Sequence, residues 1–257
     1  MLEILQIPVL QDNYVYLLHD PGTGHTAAVD PAEAGPVLDE LDRRHWRLSH
    51  ILNTHHHGDH VGGNMELKRH TGCLIVGMAR DRARIPGLDV EVADGDTLKL
   101  GEAQAQVLDV PGHTRGHGAY WFAADKALFC GDTLFALGCG RLFEGSASEM
   151  WDSLGKLAAL PVDTRVYCAH EYTQANARFA LSVEPGNTAL QERARSVAAL
   201  RSLGQPTVPS TLGEELETNP FLRPRSAEIR QHVGLSEDAP DWHVFATLRQ
   251  EKDQFRG

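Results

Sequence analysis

No apolar run in this chain approaches the roughly 20 residues that a bilayer-spanning helix requires. The opening Met-Leu-Glu-Ile-Leu-Gln-Ile-Pro has neither a basic leader nor an unbroken apolar core. A membrane span and an export signal are therefore not expected, and the sequence reads as cytoplasmic. Cysteine is scarce. Cys73, Cys130, Cys139 and Cys168 form no C-x-x-C pair, which speaks against a zinc ribbon or a thioredoxin-type motif and for a reducing compartment. Cys130 and Cys168 lie in apolar segments two residues before Asp132 and His170, and they read as small buried hydrophobes. Positive charge is also in deficit. A net charge of -11 excludes a general affinity for nucleic acid or anionic membrane surfaces, so an anionic substrate would need a local cationic patch set against the overall sign. Nothing in the chain calls for an obligate protein partner. The remaining composition, 42% apolar and 23% charged over 257 residues, suits a soluble chain that buries its own core as one large domain or a domain with an appendage.

Histidine, by contrast, is plentiful, and it is concentrated where it matters. Thr54-His55-His56-His57-Gly58-Asp59-His60 follows the apolar pair Ile51-Leu52. If a strand stops at Asn53 and turns, His55 and His57 point to the same side and can share one cation. Asp59 and His60 come where the chain enters a helix, expected over residues 61–70 with Gly62-Gly63 loosening its first turn, and they face a neighbouring position. Two adjacent metals follow. The spacing differs from the His-Glu-x-x-His helix of zincins, where both imidazoles lie one helical turn apart.

Up to about residue 165, short apolar runs alternate with turn signals, a sheet-rich pattern. Residues 2–9 and 14–19 form a hairpin, and 26–29, 48–53, 73–76, 90–100 (broken at Asp94-Gly95-Asp96), 105–110, 119–123, 128–131 and 165–169 read as further strands. Helices are expected near Val37–Leu41 and over 149–160, and an arginine-rich loop follows Val76. Three later strands repeat the theme of the first site: they end in His113, Asp132 and His170. Ligand-type residues on loops at one edge of a sheet scaffold are the arrangement of an active site. A two-metal site needs more ligands than the opening motif supplies, and a carboxylate is best able to bridge two cations, which makes Asp132 the candidate bridge. From about residue 171 the texture becomes helical (174–183, 188–203, 227–233 and 242–255), with no strand expected and a boundary placed at 170/171.

These residues resemble the metallo-beta-lactamase superfamily and, within it, the glyoxalase II or hydroxyacylglutathione hydrolase family. The closer likeness rests on Phe129-Cys-Gly-Asp132, Gly138-Cys-Gly-Arg-Leu-Phe-Glu-Gly145, Cys168-Ala-His-Glu-Tyr172, Pro209-Ser-Thr-Leu-Gly-Glu-Glu, Asn219-Pro-Phe-Leu-Arg223 and Arg249-Gln-Glu-Lys-Asp-Gln-Phe255. The resemblance implies an α/β fold, an αββα sandwich over residues 1–170 followed by a smaller α-helical, glutathione-thioester-binding domain over 171–257. It implies two metal ions, zinc first with iron or manganese as alternatives. One is held by His55, His57 and His113 and the other by Asp59, His60 and His170, with Asp132 between. His56 is then no ligand and faces away, and His117 is a packing or supporting residue. The implied substrate is S-D-lactoylglutathione, hydrolysed to D-lactate and glutathione in the second step of methylglyoxal detoxification. Arg141, Phe143, Tyr172, Arg249 and Lys252 match the positions that hold its glutathione part, and Arg249 and Lys252, one helical turn apart, can present two cations together. Arg141 stands where lysine is frequent and Phe143 where a tyrosine can occur.

The chemistry expected of such a site is attack on the thioester carbonyl by a hydroxide bridging the two cations, with Asp59 as an orienting group. Glutathione thiolate leaves without a general acid, because a thiol of pKa near 8.5 is a good leaving group. The competing readings are another hydrolase on this scaffold, a sulfur dioxygenase, or a metal or glutathione carrier without turnover.

Overall fold

The structure is a computed structural model that describes residues 1–256; Gly257, the last residue of the expected second domain, lies outside the described residues. Strands β1 (Glu3–Val9) and β2 (Asn13–Asp20) form the expected hairpin with Ile7 opposite Val15. Strand β3 (His25–Val29) pairs antiparallel with β2, and β4 (Arg47–Leu52), β5 (Leu74–Met78) and β6 (Val90–Val92) extend the sheet in parallel. Every residue of β2 is buried. The reason is that its two faces serve two cores: Val15 and Leu17 pack outward, whereas Tyr16 and Leu18 pack inward, as the period of two demands. The outward core is closed by α1 (Gly35–Arg44) through Val37 and Leu41. Past the short α2 (Gly58–Val61), α3 (Asn64–Thr71) closes it through Leu67.

A second six-stranded sheet covers the inward face. It contains β7 (Thr97–Leu100), β8 (Ala103–Asp109), β9 (Gly118–Phe122) and β10 (Ala127–Gly131), with the two-stranded ribbon β11 (Leu134–Phe135) and β12 (Gly138–Cys139) set apart. After α4 (Ala147–Ala158), β13 (Arg165–Cys168) joins β10 in parallel. Tyr16, Leu18, Val29 and Leu52 of the first sheet share one apolar core with Val107, Tyr120, Phe122 and Leu128 of the second. Helix α4 starts at a Ser146–Glu149 capping box and buries Met150, Leu154 and Leu157. Two sheets face to face with helices outside them make the αββα sandwich.

The remaining helices are α5 (Thr173–Val183) and α6 (Thr188–Ser202). They are followed, beyond a last strand β14 (Ser210–Thr211), by α7 (Leu212–Thr218), α8 (Ala227–Val233) and α9 (Asp241–Gln254). Strand β14 corrects the sequence reading, which expects no strand after residue 171: it pairs with Arg165 and Val166 and adds an edge to the second sheet. Two residues are too few for an alternation signal, and Thr211 is at once the strand's end and the N-cap of α7. The single helix expected over 61–70 is also corrected. It is two helices, α2 beginning earlier at Gly58, with the break at Gly62-Gly63. A Cβ on Gly62 would sit 2.4 Å from the Ala32 carbonyl oxygen, and one on Gly63 2.9 Å from that of Pro31. The glycines thus let the break press against the turn after β3. All four cysteines are free and buried, in keeping with the reading of Cys130 and Cys168, and among the described residues no helix is long and apolar enough to cross a membrane.

Candidate metal centre and adjoining cleft

Four strand ends deliver the ligand-type residues, as the sequence pattern suggests. The loop after β4 carries His55 and His57, α2 carries Asp59 and His60, and the turns after β8, β10 and β13 carry His113, Asp132 and His170. Gly131 takes a positive φ of 49°, where a side chain would collide with the Thr54 hydroxyl at 2.3 Å; this turns the chain out of β10 and aims Asp132 inward.

The side chains converge in two groups. His57 Nδ1 lies 3.1 Å from both His55 Nε2 and His113 Nε2. Asp59 Oδ2 lies 3.5 Å from His60 Nε2 and 3.6 Å from His170 Nε2. The ligand atoms of each group fall within 4.8 Å of one another, as do those of a third set, Asp30, His55 and His60. Asp132 spans the first two groups, with Oδ2 3.3 Å from His113 Nε2 and Oδ1 3.3 Å from His170 Nε2 and 3.6 Å from His60 Nε2.

Partners behind the imidazoles decide which nitrogen faces inward. His113 Nδ1–H donates to the Arg141 carbonyl at 2.9 Å, His170 Nδ1 meets Asp12 Oδ1 at 2.9 Å, and His60 Nδ1 meets Asp30 Oδ2 at 3.1 Å. With those protons outside, the Nε2 lone pairs point into the centre. Asp30 is held in turn by the Thr54 backbone N–H and hydroxyl at 2.8 and 2.6 Å, so the third set is the back of the site. Asn13 donates to Asp59 Oδ2 at 3.0 Å. The sequence reading misses Asp12, Asn13 and Asp30. Asp30 had a signal, an Asp-Pro at a strand end, and it adopts a left-handed φ of 48°; Asp12 and Asn13 looked like ordinary turn residues.

Electrostatics match this geometry. Burial, followed by repulsion from His60 and His117, holds His55 well below the ordinary imidazole range, and burial likewise lowers His57 and His113. Burial works against charge on His60 too, but the carboxylates of Asp132 and Asp30 outweigh it and raise His60 to about 9. Burial opposes ionisation of Asp132, yet His60 and His170 hold its carboxyl far below the usual range. A carboxylate that stays charged beside His55, His57 and His113, whose imidazoles are held neutral, is an environment that attracts cations.

His56 turns away, with Nδ1 3.0 Å from Asp81 Oδ2. Fully buried His117 stacks on His55 at 4.6 Å and accepts the Asp132 backbone N–H at 3.1 Å.

A cleft of about 440 Å³ opens from His113 and Asp132 and is bordered by Arg141, Phe143, Tyr172, Arg249 and Lys252. Tyr172 stacks on His170 at 4.7 Å, and Phe143, although 61% exposed, stands 5.2 Å from the His113 ring. Arg249 turns inward from α9, whereas Glu251 of the same helix meets His232. It is 4% exposed, donates to the Cys139 carbonyl at 2.8 Å and to Asp253 at 3.0 Å, and lies over Phe221. Lys252 is brought down to about 8 by burial, then by the charges of Arg249, Arg178 and Arg141. This is the local cationic patch in an otherwise acidic protein.

The sandwich and the paired clusters along its edge define a metallo-hydrolase of the metallo-beta-lactamase class. Comparison agrees: residues 10–170 match the family model described as Metallo-beta-lactamase superfamily, and residues 171–255 match Hydroxyacylglutathione hydrolase C-terminus. Hydroxyacylglutathione hydrolase of Methylococcus capsulatus is 69% identical over all of both chains, and that of Rhodospirillum rubrum 55% identical over 99% of each. Among solved structures, ETHE1 from Myxococcus xanthus is similar with a TM-score of 0.68 at 25% identity over 98% of both chains. The BLEG-1 B3 metallo-beta-lactamase shares the fold with a TM-score of 0.65 at 22% identity, over 87% of this chain and 100% of that one. The chain belongs to the hydroxyacylglutathione hydrolases, the glyoxalase II family of the metallo-beta-lactamase superfamily.

Proposed function

We propose that this protein hydrolyses hydroxyacylglutathione thioesters, with S-D-lactoylglutathione cleaved to D-lactate and glutathione as the second step of methylglyoxal detoxification in the cytoplasm. The observation that carries the metal requirement is a pair of orphaned buried atoms. His60 Nε2 and Asp132 Oδ1 lie 3.6 Å apart inside the centre, and neither has a hydrogen-bond partner. Buried polar atoms are rarely left so, and the surrounding His and carboxylate donors suit zinc, iron or manganese. The residues therefore fit two cations. In this reading His55, His57 and His113 hold one, Asp59, His60 and His170 the other, and Asp132 joins them, with zinc the first choice.

Bound cations would supply a deprotonated water near neutrality, since one zinc lowers the pKa of its water from 15.7 to about 7, and positive charge beside the carbonyl oxygen. The chain's own residues do the rest. Arg141 and Lys252 attract the glutathione carboxylates, Arg249 shapes the floor of the cleft, and Phe143 and Tyr172 flank the thioester. Asp59, half-buried and held by Asn13, orients the attacking water. Water gives one proton to solvent and adds to the acyl carbon, the carbon–sulfur bond breaks, the sulfur leaves as a thiolate that needs no donated proton, and the new carboxylic acid loses its proton to solvent at neutral pH. Residues 1–170 act as the catalytic domain and 171–257 as the thioester-binding domain.

The cationic patch favours this reading over another hydrolase on the scaffold, which would have little use for Lys252. The test is turnover of S-D-lactoylglutathione and of a penicillin by protein of measured metal content. Thioester hydrolysis that is lost on chelation and restored by zinc supports the proposal; metal-loaded protein that leaves the thioester intact refutes it.

A further inference from the structure

His56, Asp81, Arg84 and Glu144 form a polar cluster that thioester hydrolysis does not use directly, and Arg84 belongs to the arginine-rich loop whose purpose the sequence left open. Asp81 is fully buried. One of its oxygens takes the Nδ1–H of His56 at 3.0 Å, and the other takes the Arg84 guanidinium, with Nε at 3.1 Å. Arg84 Nη1 reaches onward to His56 Nε2 at 3.3 Å and to Glu144 Oε1 at 2.5 Å. Glu144 Oε2 then accepts the backbone N–H of Arg115 at 2.8 Å. One hydrogen-bonded unit thus fastens four separate loops: those bearing His55 and His57, Asp81, His113, and Phe143.

Phe143 is the residue that most needs such fastening. Its ring is 61% exposed, so burial does not fix it, yet it stands 5.8 Å from the His57 ring and 5.2 Å from that of His113. Its neighbour Glu144 is bound by Arg84 and Arg115, and on the far side Gly145 N–H bonds the Gly112 carbonyl at 3.0 Å. The ion pair with Arg84, aided by the Arg115 N–H, lowers the Glu144 carboxyl to about 2, so the tie persists across any working pH.

We propose that Arg84 and Glu144 are positioning residues for thioester hydrolysis: by joining the loop of Phe143 to the His56–Asp81 pair they hold the Phe143 ring over His57 and His113 as a wall of the substrate cleft. This rests on the reading of that cleft as the glutathione-thioester site. A wall that touches the ground state and the transition state alike changes KM and not kcat.

The experiment compares Glu144→Ala, Glu144→Gln, Phe143→Ala and the double alanine variant by steady-state kinetics with S-D-lactoylglutathione, calorimetric binding of S-hexylglutathione, elemental analysis and thermal unfolding. Glu144→Ala is expected to raise KM and the S-hexylglutathione Kd by about 5- to 10-fold, with kcat within about twofold, as loss of uniform binding requires. Bound metal per chain should stay unchanged. Glu144→Gln, which keeps an acceptor, should recover most of the loss, and the double variant should be no worse than Phe143→Ala alone. Effects that multiply in the double variant, an unchanged KM in Glu144→Ala, or a fall in kcat together with lost metal would each overturn the proposal. A wild type that binds S-hexylglutathione but does not hydrolyse the thioester refutes the functional reading while leaving the positioning role measurable through Kd.

Discussion

His60 Nε2 and Asp132 Oδ1 lie 3.6 Å apart in the buried centre, and neither atom makes a hydrogen bond. Asp132 is the carboxylate that both imidazole groups share, so its removal should disturb both. Asp132→Ala is expected to lower bound metal below one ion per chain and thioesterase activity by about 100-fold or more, the upper end of what even supporting residues of metal sites cost. Elemental analysis and initial rates check this; a variant with full metal content and activity would show that Asp132 does not join the two groups.

Asp12 makes its contribution from behind. It orients His170 through Nδ1 at 2.9 Å, and its side chain is 36% exposed, so the fold can lose it. Asp12→Ala should therefore leave the melting temperature nearly unchanged while weakening metal binding by about 10-fold, in the range known for such partners. Competition with a chromogenic chelator measures this. Undiminished affinity would mean that packing against Tyr172 is enough to orient the His170 ring.

Lys252 is expected to set an alkaline limit on substrate capture. Burial and the neighbouring Arg249, Arg178 and Arg141 lower it to about 8, against the relief offered by Asp253. It is charged below that value and neutral above it, so its attraction for an anionic thioester is present at pH 7 and lost as the pH rises through about 8. The ratio kcat/KM, which reports the free enzyme, should fall across that window. In Lys252→Arg, whose guanidinium stays charged, the fall should vanish. An identical alkaline limb in both proteins would assign it to another group.

Arg249 and Lys252 occupy the same helix and cleft but should respond differently to alanine. Lys252→Ala should raise KM with little change in stability. Arg249→Ala removes the donor to the Cys139 carbonyl and the layer over Phe221, which should cost about 2–3 kcal/mol, as hydrogen bonds to charged groups do. Denaturant unfolding of the two variants separates them, and equal stabilities would contradict a structural role for Arg249.

Much of this was legible in the sequence because it was local. Short apolar runs between turn signals mark β2 and the other strands, and the spacing of His55, His57, Asp59 and His60 within one turn sorts them into the two groups found in the structure. His113, Asp132 and His170 were readable as strand-end residues because a strand's end fixes where the next side chain emerges. The break at Gly62-Gly63 is only half legible: the glycines mark a loosened turn, but the carbonyls of Pro31 and Ala32 that press on them come from a distant segment.

What the sequence could not decide depends on chain segments that meet only after folding. Asp12 and Asp30 look like turn residues until β1, β3 and β13 bring them behind His170 and His60. The chain's net charge of -11 does not locate the cationic cleft expected against it, because charge sums over the chain whereas a ligand senses only the groups beside it. Residue types and local periodicity are properties of the chain alone; which nitrogen faces inward, and which arginine is buried as an anchor, are set by partners tens to more than a hundred residues away.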